Sequence, residues 1–324
     1  MSGAIAGTAI LKALNLTDRL QTVTLTINND CNLSCPHCYL QYQSSNRFID
    51  GETLDSVLKA DFKHLVIVGK EPLANQLSVS LVEQAILRSS NSKKTVSLVT
   101  NGLGLRLLNF KALKHLDYID VSFDGGPKSY QEYRKGSFDS LVSEIRFLET
   151  RGYNHFNALH VLNDATMDFI DDMIEVDMYC HLEKIMFSPY LVTSNFGKNY
   201  VNPIKLQTMF EKLSESSRFM NCKKAFLLLD LFHLLQESMT FDEVEELIAR
   251  YSISEKIKLI KYDPLEYGII RVTYDGYVLS PYESMHTLYY RNSAFRLVQN
   301  DLNTIFGNIL SRHLDSNLHG NQRT

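Results

Sequence analysis

Three of the chain's five cysteines, Cys31, Cys35 and Cys38, fall within eight residues at the spacing C-x3-C-x2-C. They follow an alternating, β-branched run, Gln21 to Ile27, that reads as a strand. Thiolates this close can converge on one metal centre once the loop curls. A chain with so few cysteines has little packing reason to cluster them. An iron–sulfur cluster is the leading expectation. A zinc knot with His37 as fourth ligand, or a disulfide with a spare thiol, are the rivals. Zinc sites more often use two paired ligand motifs, and no second pair is present.

After this loop the chain repeats one beat. Helical spacing over Thr53 to His64 precedes a strand at Leu65 to Val68, and Val79 to Arg88 precedes Thr95 to Val99. Leu105 to His115 precedes Tyr118 to Phe123, and Phe138 to Thr150 precedes Phe156 to Val161. Met167 to Cys180 then precedes Lys184 to Phe187. Such alternation with short connections predicts an α/β chain whose parallel sheet carries helices on its outer face, curled into a partial barrel or open and doubly wound.

Polar or glycine-containing stretches fall just after the strands. They are the cysteine loop, Gly69-Lys70-Glu71-Pro72, Thr100-Asn101-Gly102, Asp124-Gly125-Gly126-Pro127 and Ser188-Pro189-Tyr190. Carboxyl ends of parallel strands share one rim, where ligands bind, so five stretches are expected to converge on one site.

From Pro203 to about Lys258 the pattern reads as helices without strands, Ala225 to Phe232 being a buried helix that is apolar almost all round. Thr240 is expected to begin a helix whose acidic run, Asp242 to Glu246, faces solvent. Ile269 to Tyr274, Asp275-Gly276 and Tyr277 to Leu279 carry a hairpin signal. The polar residues after Leu310 are expected to fray. The expected organisation is a lead-in at 1–20, the strand–helix unit at 21–200, a helical segment at 201–260 and a tail at 261–324.

With 324 residues and a formal net charge of −4, the chain is not expected to bind nucleic acid. No apolar run reaches the roughly 18–20 residues that span a bilayer, and the short apolar stretch from Ala4 lacks a basic flank, arguing against a signal peptide. Clustered thiols suit a reducing compartment, and the expected location is the cytoplasm.

The motif Cys31-x3-Cys35-x2-Cys38-Tyr39 resembles that of the radical S-adenosylmethionine (SAM) superfamily. Gly69-Lys70-Glu71-Pro72 resembles that family's G-G-E-P, with a lysine at the second glycine. Thr100-Asn101-Gly102 and Ser122-Phe123-Asp124-Gly125 resemble its T-N-G and S-x-D-G. The likeness is good over roughly residues 21 to 190 and implies a partial (β/α)6 TIM-like barrel. It implies one [4Fe-4S] cluster on Cys31, Cys35 and Cys38, with an open iron that takes the amino and carboxylate groups of SAM. Reductive cleavage then yields a 5′-deoxyadenosyl radical that abstracts hydrogen from substrate. Gly69, Lys70, Glu71 and Pro72 would meet the methionine amino group, Tyr39 the adenine, Ser122 the carboxylate or ribose, and Arg134 the carboxylate. Asn101 and Asp124 complete the expected cofactor-binding set.

The tail, Arg271 to Pro281 and Phe306-Gly307-Asn308-Ile309, is similar to the peptide-modifying SPASM branch. Tyr282 stands where that branch has a cysteine, and no cysteine follows Cys222, so auxiliary clusters cannot be built. Cys180 and Cys222 read as small buried apolar residues. Tyr282, Glu283 and His286 occupy the place of auxiliary ligands and are candidates to contact substrate or deliver a proton.

The expected activity is C–H functionalisation of a peptide, in particular a ribosomally synthesised precursor, with flavodoxin or ferredoxin as external electron donor. A sugar, nucleoside or amino acid substrate is the alternative. A non-catalytic metal-containing binding protein is a third.

Overall fold

The computed structural model describes residues 19–38, 46–190, 204–230, 234, 237–260, 267–279, 295–297 and 301–320. Tyr39, Tyr282, Glu283 and His286 lie outside these, as does nearly all of the 1–20 lead-in.

All six expected strands form: β1 (Thr22–Thr26), β2 (His64–Val68), β3 (Thr95–Thr100), β4 (Tyr118–Ser122), β5 (Phe156–Leu162) and β6 (Lys184–Pro189). Between them run α1 (Gly51–Lys59), α2 (Gln76–Asn91), α3 (Phe110–Leu113), α4 (Tyr130–Arg134), α5 (Phe138–Glu149) and α6 (Ile170–Glu175). The starts of α1, α2 and α5 are fixed by Asp50, Asn75 and Ser137, whose side chains accept from the backbone N–H groups of Thr53, Ser78 and Ser140. The helix expected over Leu105 to His115 is instead a 3₁₀ turn at Leu105–Leu107 followed by α3, because Asn109 interposes a cap of its own.

Strands β1 to β6 pair in parallel in sequence order, as expected of a partial barrel of radical SAM type. One set of alternate side chains, among them Leu25, Ile67, Leu98, Val121, Ala158 and Phe187, is fully buried. The other set, including Thr24, Val66, Val99, Ser122 and Leu159, lines an internal cavity. Period-two patterning thus separates the two faces of the curled sheet.

The strandless reading of 203–258 is corrected. Helices α7 (Leu206–Glu215), α8 (Ser217–Asn221) and α9 (Phe241–Arg250) are interleaved with two more parallel strands, β7 (Ala225–Asp230) and β8 (Ile257–Ile260). Ala225, Leu227 and Leu229 are buried while Phe226 and Leu228 are half-buried. A short apolar run covered on both faces has no periodicity to tell it from a buried helix. Thr240 does open α9, in a reciprocal capping box with Glu243.

The hairpin forms at Asp275-Gly276, with Gly276 at φ 79°, between β9 (Ile269–Val272) and β10 (Tyr277–Leu279). β9 also pairs in parallel with β1, setting Arg271 opposite Thr24, and β11 (Phe295–Arg296) adds to β10. The sheet order is therefore β11-β10-β9-β1-β2-β3-β4-β5-β6-β7-β8. The chain end, expected to fray after Leu310, is helical through Gly320 in α10 (Leu302–Gly320), anchored by buried Leu302, Ile305, Phe306, Ile309 and Leu310. No helix among the described residues is long and apolar enough to cross a membrane.

Candidate active site

The five strand-end stretches meet at one cavity of about 970 Å³. Its wall includes Cys31, Cys35, Cys38, Gly69, Lys70, Glu71, Asn101, Ser122, Asp124, Arg134, Tyr190 and Arg271. Every expected site residue that the structure describes reaches this wall except Pro72.

The cysteine loop leaves β1 through Asn28, Asn29 and Asp30. Asn28 is buried and its side-chain amide donates to the Glu71 carbonyl (2.7 Å) and the Ser78 hydroxyl (2.9 Å). Asp30 accepts from the Cys31 N–H (2.9 Å) and the Asn75 amide (2.9 Å). A turn in which the Cys38 N–H donates to the Cys35 carbonyl (3.1 Å) draws the second and third cysteines together. None of the three is in a disulfide, and all line the same cavity. Burial pushes Cys31 up to about 11 and Cys35 to about 12, so these thiols favour the neutral form until a cationic partner compensates.

His37 does not turn toward the cysteines as a fourth ligand. Its Nε2 meets Asp124 Oδ2 at 3.0 Å, so that ring nitrogen is engaged by a carboxylate. Three thiols opening on a shared cavity fit the three-cysteine cluster better, because a cubane spreads its ligands over separate irons.

Asp124 is the node of a buried network. Besides His37 it receives Arg134 NH1 at 2.9 Å, and its Oδ1 accepts from the Val161 N–H at 2.7 Å. Burial alone would raise its pKa, but the His37 contact and the Arg134 guanidinium outweigh it and hold the carboxyl well below the usual range. Arg134 is thus tied to Asp124, while the Cys35 thiol donates to the Arg134 carbonyl (3.4 Å). Asp124 sits at φ 47°, a left-handed conformation that aspartate tolerates better than bulkier residues.

Glu71 is as buried as Asp124, at 2 % exposure each, but its partners are neutral. Oε1 accepts from the Thr100 hydroxyl (2.6 Å) and the Leu73 N–H (2.9 Å), and Oε2 from the Asn101 N–H (2.6 Å). Burial raises its pKa in spite of them. Asn101 in turn donates to Asn32 (2.7 Å), joining the third strand's exit to the cysteine loop. A Cβ on Gly69 would overlap Asn28 Oδ1, whereas Lys70 has no left-handed φ, so the first position of this motif requires glycine and the second accepts lysine.

Three supports escape motif reading. His37 and Asn28 are unremarkable until their distant partners are known. Asp172, on α6, receives the Gly126 and Ser129 N–H groups (3.0 Å each), the Lys128 N–H (3.1 Å) and the Ser129 hydroxyl (2.6 Å), so it shapes the loop after Asp124. The hint available was two adjacent acidic residues, Asp171 and Asp172, starting a helix.

Residues 25–176 match the Radical SAM superfamily. A probable GTP 3′,8-cyclase of Methanococcus aeolicus is 24 % identical over 64 % of this chain and 73 % of its own length. Among solved structures, Streptococcus suis SuiB bound to S-adenosylmethionine superposes with a TM-score of 0.60 at 12 % identity, covering 96 % of this chain and 72 % of SuiB. SuiB bound to its precursor peptide SuiA gives 0.56 at 13 % identity, covering 94 % and 68 %. These superpositions establish a shared fold.

Proposed function

We propose that this chain, whose residues 25–176 match the Radical SAM superfamily, cleaves SAM reductively and abstracts hydrogen from a peptide, a ribosomally synthesised precursor above all. The carrying observation is that three cysteines of one loop, none in a disulfide, line a cavity assembled from the ends of β1 to β6. Cys31, Cys35 and Cys38 would hold a [4Fe-4S] cluster, which supplies the electron that breaks a sulfonium S–C bond and releases the radical that attacks substrate.

The chain's own residues bind and orient. Gly69 and Lys70 line the cavity beside the start of the cysteine loop, where the Lys70 N–H donates to the Asn28 carbonyl and the Glu71 N–H to the Asp30 carbonyl. Glu71, held by three donors, offers its remaining lone pairs to an ammonium group. Ser122 and Asn101 present polar groups from the ends of β4 and β3. Arg134, fixed by Asp124, directs its positive end to a carboxylate. At about 970 Å³ the cavity lies at the upper end of the range, about 300–1,000 Å³, that holds one small ligand, leaving room for part of a substrate beside SAM.

The peptide reading is supported by the fold shared with SuiB over 94 % of this chain. A nucleotide or other small substrate is the second reading, supported by the GTP 3′,8-cyclase relative. Either needs an external electron donor such as flavodoxin or ferredoxin.

Anaerobic reconstitution tests the chemistry. The expected result is about four irons per chain and release of 5′-deoxyadenosine from SAM under a strong reductant. Absence of either overturns the proposal. Mass spectrometry of short peptides encoded beside the gene, where there are any, and of GTP, each incubated with the enzyme in deuterated water, separates the two substrate readings, since the substrate must change mass or hydrogen-isotope content.

A further inference from the structure

The two carboxylates on the cavity wall are both satisfied from within the protein. Asp124 is matched by His37 and Arg134, and Glu71 by three neutral donors. Arg134, in matching Asp124, already has one anion. Arg271 is different. It lies half-buried on β9, its backbone paired with β1 and β10, it lines the cavity, and among the described residues its side chain has no hydrogen bond or ion pair. Lys70 adds a second positive charge to the same wall.

A partly buried guanidinium without an anion is costly, because it has given up water without a replacement. Its planar fork matches the oxygens of a carboxylate or phosphate in two parallel hydrogen bonds. Its register partner Thr24 is two residues before the end of β1, about 7 Å below the rim at the usual rise per strand residue. An anion seated there leaves the rest of the ligand pointing toward the strand ends, where the three thiols are.

We propose that Arg271 anchors an oxyanion of the substrate, a phosphate or a carboxylate, deep in the cavity beside Thr24. The inference rests on reading this cavity as the site where SAM and substrate meet. It narrows the substrate to molecules carrying such a group: a nucleotide in one case, a peptide with an acidic side chain in the other.

Calorimetry on the reconstituted, SAM-loaded enzyme under anaerobic conditions tests this, with inorganic tripolyphosphate and glutarate as probes. At least one should bind, about tenfold or more weakly to Arg271→Gln, less weakened in Arg271→Lys, and unchanged in Arg88→Gln on the outer face of α2. Preference for tripolyphosphate assigns the site to a nucleotide, and preference for glutarate to an acidic side chain. Binding of neither probe, or equal binding by wild type and Arg271→Gln, overturns the proposal. Should Arg271→Gln not fold, the unmutated enzyme still decides: bound probe must slow phenylglyoxal labelling of Arg271 and leave Arg88 unaffected, and lack of protection overturns it. Release of 5′-deoxyadenosine by the wild type is read separately. Its absence sinks the radical reading, whereas probe failure with SAM cleavage intact sinks only the role of Arg271.

Discussion

Two corners of one cavity hold equally buried carboxylates and treat them in opposite ways. At the Glu71 corner the neighbours are a hydroxyl and two backbone amides, and burial wins: the pKa rises. At the Asp124 corner burial acts the same way, but His37 and the Arg134 guanidinium reverse the sign. Neutral dipoles only soften the cost of removing a charge from water, whereas an opposite charge in a poorly screened site offsets it. The first corner can meet an incoming cation. The second clasps the cysteine loop, β4, β5 and α4 together and holds Arg134 at the cavity wall.

The largest expected effect falls where both corners converge. Replacing Cys31, Cys35 or Cys38 singly with alanine should abolish iron loading and 5′-deoxyadenosine release, while the protein stays folded by circular dichroism. A variant that still binds about four irons would separate the loop from both carboxylates.

Next comes Asp124→Asn, which leaves His37 and Arg134 buried without an anion. Breaking a buried pair in this way costs about 3–5 kcal/mol, and urea unfolding should show it. The folded pKa is depressed, so this contribution is full above the ordinary value of 3.8 and is lost as pH falls through and below it. The gap between wild type and variant should therefore narrow in acid. A gap under about 1 kcal/mol at pH 7 would mean that the clasp is not the anchor described.

Glu71→Gln should cost less, about 1–2 kcal/mol, because one N–H donor then faces an amide instead of an oxygen. The pH dependence has the opposite sign. A carboxyl whose folded pKa is raised makes the folded state bind more protons, so wild-type stability relative to the variant should decline as pH rises above 4.5. A relative gain with rising pH would remove the contrast between the corners. The smallest effect is expected for Arg88→Ala, which breaks an exposed pair with Asp55 at 2.6 Å. Such pairs contribute about 0–1 kcal/mol, and any deficit should fade in salt.

Much of the barrel was legible in the sequence because its strands alternate with amphipathic helices and its polar loops fall at strand ends. Ala225 to Leu229 was not legible as β7, since an apolar run buried on both faces has no period. The parallel pairing of β9 with β1 was hidden too, because Asp275-Gly276 announces only a local hairpin. Within the site, motifs are enough to bring the cysteines, Glu71, Asn101 and Ser122 to one rim, and all of them line the cavity. His37, Asn28 and Asp172 were missed as supports, because each acts through a partner dozens of residues away.

By itself, then, the sequence determined that three thiols would sit in a loop after a strand, at the rim of a parallel sheet. Local spacing and the period-two pattern suffice for that, since both are read within a few residues. Only the tertiary structure decided which carboxylate would be a charged anchor and which a neutral-ringed acceptor, and that Arg271 would face the cavity without a partner. Those outcomes depend on solvent exclusion and on charges brought together from distant strands, and neither quantity exists until the chain has closed.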